Sequence, residues 1–208
     1  MKAILYTRYG SPDVLLFTEV AKPAPKDHQV LIKVQAASVN AADRHLLRGP
    51  LLARLITGGL RKPKDPRLGI DLAGRVEAVG SQVTQFHVGD EVYGGGDGAF
   101  ADYACATEKN LAPKPTNLSF EEASAVPGAA LTALQALRDQ GQLQPGQQVL
   151  IQGASGGGHL CRAACQSPGG ARYCCVQHAE CGPGPLAGGD QVIDYTRKMS
   201  PGRGSAMI

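Results

Sequence analysis

The segment Gly69-Ile70-Asp71-Leu72-Ala73-Gly74-Arg75-Val76-Glu77-Ala78-Val79-Gly80 decides the fold of the first half of the chain. Its apolar and small residues run from Ile70 to Val79 between glycines, which predicts a β-strand bounded by turns. Further strands are predicted at residues 2–6, 14–20, 29–39, 91–93 and 100–106. Short strands separated by glycine-containing turns favour a compact antiparallel barrel over a helical fold.

The pattern changes at Ser119. Ser119 followed by Glu122 is a capping box, which predicts the start of an alanine-rich helix. Pro127-Gly128 is predicted to interrupt that helix. A second helix, with Leu131, Leu134 and Leu137 on one face, is predicted to end near Gly141.

A glycine-rich segment, Gly153-Ala154-Ser155-Gly156-Gly157-Gly158, directly follows the apolar residues of the predicted strand 148–152. An unbroken apolar run is typical of a buried parallel strand. A glycine loop after such a strand lets backbone N–H groups approach a pyrophosphate, because no Cβ stands in the way. Glycine-rich turns are common, so the loop alone leaves both a nucleotide site and a plain turn open.

Charge and hydropathy exclude several kinds of partner. The 21 Lys and Arg residues are spread among 18 Asp and Glu, giving a net charge of +3. We therefore expect no nucleic acid or anionic membrane surface as a partner. The sequence contains no apolar run of about 18 residues and no signal-like start, so we expect a cytoplasmic protein and no membrane segment.

Six segments resemble the medium-chain dehydrogenase/reductase superfamily, in its order and at its spacing: residues 36–43, 69–80, 88–93, 118–123, 130–134 and 149–157. The resemblance implies a mixed α/β protein of two domains. A chaperonin-10-like (GroES-like) β-barrel, residues 1–123, would carry the catalytic site. A Rossmann domain, residues 124–208, would bind NADPH through the loop Gly153 to Gly158.

The resemblance points to the zinc-free quinone oxidoreductase branch. Zinc-dependent members have Gly-His-Glu where this chain has Gly69-Ile70-Asp71, and they place a cysteine ligand where this chain has residues 40–43. The cysteine-rich loop that holds their structural zinc is also missing between Gly80 and Ala125. The branch implies hydride transfer from NADPH to a small-molecule quinone or α,β-unsaturated carbonyl without a metal, in a protein that is commonly a homodimer.

The resemblance assigns catalytic positions to Asn40 and Asp43 and a cofactor contact to Thr132. Without a metal, hydride transfer requires positioning and a donor to the developing oxyanion, and the Asn40 amide is the leading candidate. Structural alternatives remain open for all three. Asn40 could cap a helix predicted at residues 41–47, Asp43 could anchor the same turn or cap that helix, and Thr132 could pack within its own helix.

Two further polar residues lie near these positions. His45 could donate a proton on chemical grounds, but a histidine beside two leucines is more typical of a surface or packing position. Asp71 is expected to orient nearby backbone groups and to take no part in the reaction.

The resemblance stops after Gly157 and returns at residues 190–196, at the expected distance. Between them, 12 of the 34 residues 156–189 are Gly or Pro, a fraction typical of a segment that cannot pack. Plausible codons for residues 159–188 and 198–208 translate into family-like sequence in a neighbouring reading frame. Our hypothesis is that insertions or deletions in the gene shift the reading frame and later restore it.

The consequence is a cofactor domain that we expect to be disrupted and incomplete, with weakened NADPH affinity and low stability. One alternative is a non-catalytic remnant that acts at most as a barrel or interaction domain. Another is a cysteine-rich metal-binding module, because five of the six cysteines lie within residues 161–181. Their spacing lacks paired Cys-x-x-Cys units, and a frame shift would make the cluster incidental.

Overall fold

The structure is a computed structural model that describes residues 1–57, 59–144, 147–152, 172–177, 191–194 and 206–207. The chain divides into two compact units, Met1–Gly128 and Ala129–Ile208. Each unit contains its own β-sheet structure.

Antiparallel strands dominate the first unit, as predicted. Strands β1 (Lys2–Tyr6) and β2 (Leu15–Glu19) pair with each other. A five-stranded antiparallel sheet has the order β6-β3-β4-β5-β7. Its strands are β3 (Gln29–Ala37), β4 (Asp71–Val79), β5 (Glu91–Gly95), β6 (Tyr103–Thr107) and β7 (Leu111–Pro113). The segment that decides the fold therefore supplies the central strand, β4.

The core of the first unit lies along β3, β4 and β5. The side chains of Val30, Ile32, Leu72 and Val92 are completely buried there. Burying one such side chain stabilises the fold by about 1.5–3 kcal/mol. Gly74 allows β4 to approach β3 closely, because a Cβ at this position would lie 2.3 Å from the carbonyl oxygen of Lys33.

Four helices connect or follow these strands: α1 (Ala41–Arg48), α2 (Leu51–Thr57), α3 (Phe120–Ser124) and α4 (Pro127–Leu134), which continues as a π-helical segment, Gln135–Gln140. The capping box is confirmed at α3, where Glu122 N–H donates to Ser119 Oγ at 3.2 Å and Ser119 N–H donates to Glu122 Oε2 at 2.8 Å. Within the described part of the chain, no helix has the length and apolar character needed to cross a membrane.

Helix α2 and strand β7 were not predicted, because both are short and lack a clear hydrophobic period. The predicted interruption at Pro127-Gly128 is confirmed, since α3 ends at Ser124 and Pro127 begins α4. The first residue of a helix has no use for its N–H group, so proline is favoured at that position.

The second unit contains a parallel sheet of β8 (Gln148–Gln152), β9 (Arg172–Gln177), β10 (Gln191–Asp194) and β11 (Ala206–Met207). The order β10-β9-β8-β11 is that of the first four strands of a dinucleotide-binding sheet, and Val149 and Ile151 of β8 are buried. The expectation that residues 156–189 could not pack was wrong for β9. Residues 172–177 include no Gly or Pro, so a ladder can form there.

Candidate functional site

Asn40 lies between β3 and α1 and caps the helix. Its Oδ1 accepts the N–H of Ala42 at 2.9 Å, and its own N–H donates to Asp43 Oδ2 at 2.9 Å. These contacts form a capping box, so the structural alternatives considered for Asn40 and Asp43 are confirmed. They also hold the half-buried Asn40 side chain in a defined place.

The other end of the Asn40 amide contacts Asp71. Nδ2 donates to Asp71 Oδ2 at 3.0 Å, while Oδ1 is occupied by the Ala42 N–H group. Since one end of the amide needs a donor and the other an acceptor, only one orientation satisfies both contacts. The second Nδ2 hydrogen has no partner among the described residues, so it can donate to a ligand.

Asp71 is a buried carboxylate that contacts both Asn40 and the start of α4. It is only 2% exposed, and its Oδ2 also accepts the N–H of Gly128 at 3.0 Å. A Cβ on Gly128 would lie 2.6 Å from that oxygen, so the contact requires glycine. The prediction that Asp71 orients backbone is confirmed. Its link to Gly128 was missed, although a carboxylate between the apolar residues Ile70 and Leu72 signals a buried polar partner.

Asp43 is a second buried carboxylate, also 2% exposed. Its Oδ1 has no hydrogen-bond partner among the described residues. Burial raises the pKa of Asp43, the hydrogen bond from Asn40 opposes the shift, and the negative charge of Asp71 adds to it. Asp43 therefore holds a proton more readily than an ordinary aspartate.

A cavity of about 480 Å³ opens in the first unit, within the range of about 300–1,000 Å³ that is usual for small-molecule sites. Its wall includes Leu46 from α1 and Ile70, which precedes Asp71. The other lining residues are Tyr6, Pro63, Lys64, Asp65, Pro66, Arg67, Gly69, Gly96, Asp97 and Gly98. Arg67 Nη2 lies 2.6 Å from Asp65 Oδ2, and the guanidinium holds the pKa of Asp65 below its ordinary value. The cavity thus combines apolar surface with a neutralised ion pair.

The other predicted positions lie on α1, on α4 and outside the described residues. His45 is exposed on α1, in line with a surface position. Thr132 lies on α4 in the second unit. The loop Gly153 to Gly158 lies outside the described residues, as do Cys161, Cys165 and Cys181. Among the residues described, no three His, Cys, Asp or Glu side chains are grouped as metal ligands.

Comparison with known proteins identifies the first unit. Residues 26–116 match the alcohol dehydrogenase GroES-like domain. The chain is 40% identical over 181 residues to quinone oxidoreductase of Lama guanicoe, covering 85% of this chain and 51% of that protein. It is 42% identical over 168 residues to 2-methylene-furan-3-one reductase of Solanum lycopersicum, covering 76% of this chain and 42% of that protein.

Solved structures agree with the sequence relatives. The quinone oxidoreductase from Coxiella burnetii superimposes with a TM-score of 0.82 at 30% identity, covering 96% of this chain and 63% of that one. A mycobacterial protein solved in complex with NADPH superimposes with a TM-score of 0.79 at 28% identity, covering 94% and 59%.

The predicted fold class, a GroES-like barrel followed by part of a Rossmann domain, is confirmed by these comparisons. The chain spans about half the length of the curated relatives it matches. Residues 26–116 form an alcohol dehydrogenase GroES-like domain, and the chain is related to the quinone oxidoreductases of the medium-chain dehydrogenase/reductase superfamily.

Proposed function

We propose that the site performs NADPH-dependent reduction of a quinone or an α,β-unsaturated carbonyl, by hydride transfer without zinc. The proposed catalytic domain is residues 1–123 and the proposed cofactor domain is residues 124–208. The relatives include quinone oxidoreductases and an enone reductase, which supports this reaction class.

The observation that carries the proposal is the fixed orientation of the Asn40 side-chain amide. The amide is fixed by Ala42 and Asp71 and has one hydrogen available to a ligand. An oriented donor of this kind stabilises the negative charge that develops on a carbonyl oxygen when it accepts hydride. Ile70 stands where zinc-dependent relatives carry a histidine ligand, and an alkyl side chain cannot bind zinc. The amide donor would therefore replace the Lewis acid.

The second unit supports NADPH as the hydride source. In the order β10-β9-β8-β11, the direction in which the strands follow one another reverses between β8 and β11. Dinucleotides bind at such a switch point, beyond the carboxyl ends of the strands. The loop Gly153 to Gly158 follows the carboxyl end of β8, and its glycine-rich backbone suits a pyrophosphate. We propose that this loop and Thr132 hold the cofactor, which would supply hydride from its nicotinamide.

The substrate would bind beside Asn40 and extend toward the cavity of the first unit, which is lined by Leu46 of α1 and by Ile70, the neighbour of Asp71. Asn40 would donate to the substrate oxygen, and Asp43 would anchor the turn that presents it. The apolar wall at Ile70 would exclude water from the reacting carbonyl. We expect Ile70→Trp to reduce the cavity and to raise KM for the quinone with little change in kcat.

Turnover of the purified chain tests the proposal. We expect a quinone to drive NADPH oxidation with half-saturation toward about 1 mM NADPH, the upper end of the usual KM range, because we expect an incomplete cofactor domain to bind weakly. A zinc chelator should leave the rate unchanged. Asn40→Ala should lower the rate by about 10²-fold, whereas Asn117→Ala, at an exposed position, should not. Absence of turnover would favour the non-catalytic alternative.

We propose a cytoplasmic homodimer on the resemblance to quinone oxidoreductases. Light scattering of the purified chain tests the association, with a mass of two chains expected. A monomer at all concentrations would contradict it.

A further inference from the structure

We infer that Asp71 is a positioning residue that fixes and polarises the Asn40 amide and couples it to the start of helix α4. The inference rests on the proposed role of Asn40 as the oxyanion donor. It concerns a carboxylate that neither the sequence resemblance nor the comparisons assign to the reaction.

The Asp71 carboxylate lies directly against the Asn40 amide. Asp71 is almost completely buried, and its Oδ2 accepts two hydrogen bonds, from Asn40 Nδ2 and from the Gly128 N–H group, each at 3.0 Å. A buried carboxylate is costly unless such donors compensate its charge. Asp71 therefore places a carboxylate acceptor 3.0 Å from Asn40 Nδ2, where a neutral acceptor could have filled a purely structural role.

The Asp71 carboxylate strengthens the Asn40 amide as a hydrogen-bond donor. A hydrogen bond to an ionised acceptor is stronger than one to a neutral acceptor and holds the donor more firmly. Polarisation along a chain of hydrogen bonds also strengthens neighbouring donors. The second Nδ2 hydrogen of Asn40 therefore becomes a better donor to a developing oxyanion than an isolated amide would be.

Asp71 also contacts the start of helix α4. Pro127, the first residue of α4, has no N–H group, so Gly128 supplies the first backbone donor of this helix. Asp71 accepts that hydrogen bond from 57 residues earlier in the chain. A negative charge near a helix N-terminus is stabilised by the helix dipole. A shift of the start of α4 would therefore move the carboxylate that orients Asn40.

A test that does not need activity is available, because the chain contains only three asparagines, Asn40, Asn110 and Asn117. Labelling asparagine with nitrogen-15 gives three side-chain amide pairs in an NMR spectrum, and Asn40→Ala assigns one of them. We expect the Asn40 pair in the unmodified protein to be well dispersed, with one hydrogen protected from solvent exchange. The exposed Asn110 and Asn117 serve as internal controls.

The variant Asp71→Asn removes the charge with almost no change of volume. It adds a fourth asparagine amide pair, which the double variant Asn40→Ala, Asp71→Asn identifies. We expect the Asn40 signals to shift and to lose their protection, while those of Asn110 and Asn117 stay in place. If the chain turns over a quinone, kcat should fall at least about 10-fold with KM for the quinone unchanged. Asp71→Glu should restore part of the spectral signature and of kcat, because it restores the charge.

The possible outcomes separate this inference from the proposed function. Unchanged Asn40 signals in Asp71→Asn, or an Asn40 pair in the unmodified protein that exchanges as fast as the two controls, would overturn it. The second measurement does not depend on Asp71→Asn, so it decides the matter even if that variant does not fold. Absence of turnover with the expected NMR result would contradict the proposed function and leave the positioning contact established.

Discussion

Gly128→Ala should destabilise the first unit, because the new Cβ has no room. It would lie 2.6 Å from Asp71 Oδ2, 3.1 Å from Oδ1 and 3.2 Å from Cγ, and the carboxylate that it meets is buried and holds two hydrogen bonds. Asp71 could move away only by lengthening its bonds to Asn40 and Gly128. Overpacking of this kind costs about 1–3 kcal/mol. A hydrogen bond to a charged group contributes about 1.5–3 kcal/mol, and part of that contribution is lost as well. We therefore expect a loss of stability in the upper half of the overpacking range.

The matched control is Gly95→Ala. Gly95 pairs directly with Asp71 in the sheet, and a Cβ there would meet only Ile70 Cγ2, at 3.9 Å. The substitution should be neutral or stabilise the fold by up to about 1 kcal/mol, because alanine reduces the freedom of the unfolded chain. Urea unfolding followed by circular dichroism suits a protein without tryptophan. Equal stabilities for the two variants would refute the steric reasoning.

Three further predictions concern other parts of the molecule. Asp43→Asn should change the pH dependence of stability. The raised pKa means that the Asp43 contribution is complete below its ordinary value near 3.8 and is lost as the pH rises through the raised value. Urea unfolding across this range should show a decline in the unmodified protein that is absent from the variant, and parallel curves would contradict it. Leu72→Ala should cost about 2–5 kcal/mol in the same assay, since this side chain is fully buried. A cost below about 1 kcal/mol would argue against the core described here. Finally, the gene's nucleotide sequence should show frame changes near the codons for Gly157 and Arg197, and clean reads that keep residues 161–181 in frame would contradict the hypothesis.

Much of the first unit could be predicted from local patterns. The alternation and glycine boundaries of residues 69–80 predicted β4, and the Ser119 capping box fixed the start of α3. Both features depend on interactions within a few residues, which sequence patterns report directly. Helix α2 has no such signal, so it could not be found in this way.

The candidate site was predicted only in part, because its main contacts join residues far apart in the chain. Asn40 and Asp43 are near neighbours, and their capping box could be anticipated. The contacts of Asp71 with Asn40 and Gly128 depend on how β4, α1 and α4 are brought together. The need for glycine at position 128 follows from that packing, and the sequence shows only a Pro-Gly pair that suggested an interruption.

The second unit shows the limit of compositional reasoning. The high Gly and Pro content of residues 156–189 suggested that the segment could not pack, yet β9 forms within it. The breakers lie on either side of residues 172–177, and strand pairing needs only a few consecutive residues free of them. An average over 34 residues conceals such a short segment.

Transfer of deuterium from C4-deuterated NADPH to an enone tests the central claim most directly. In the proposed reaction, hydride from the nicotinamide adds to the β-carbon, and a proton from solvent completes the reduction at the α-carbon. With the purified chain and a zinc chelator present, the product should carry deuterium at the β-carbon, and Asn40→Ala should lower its yield sharply. Product without deuterium, or product formation that stops when zinc is chelated, would contradict the account.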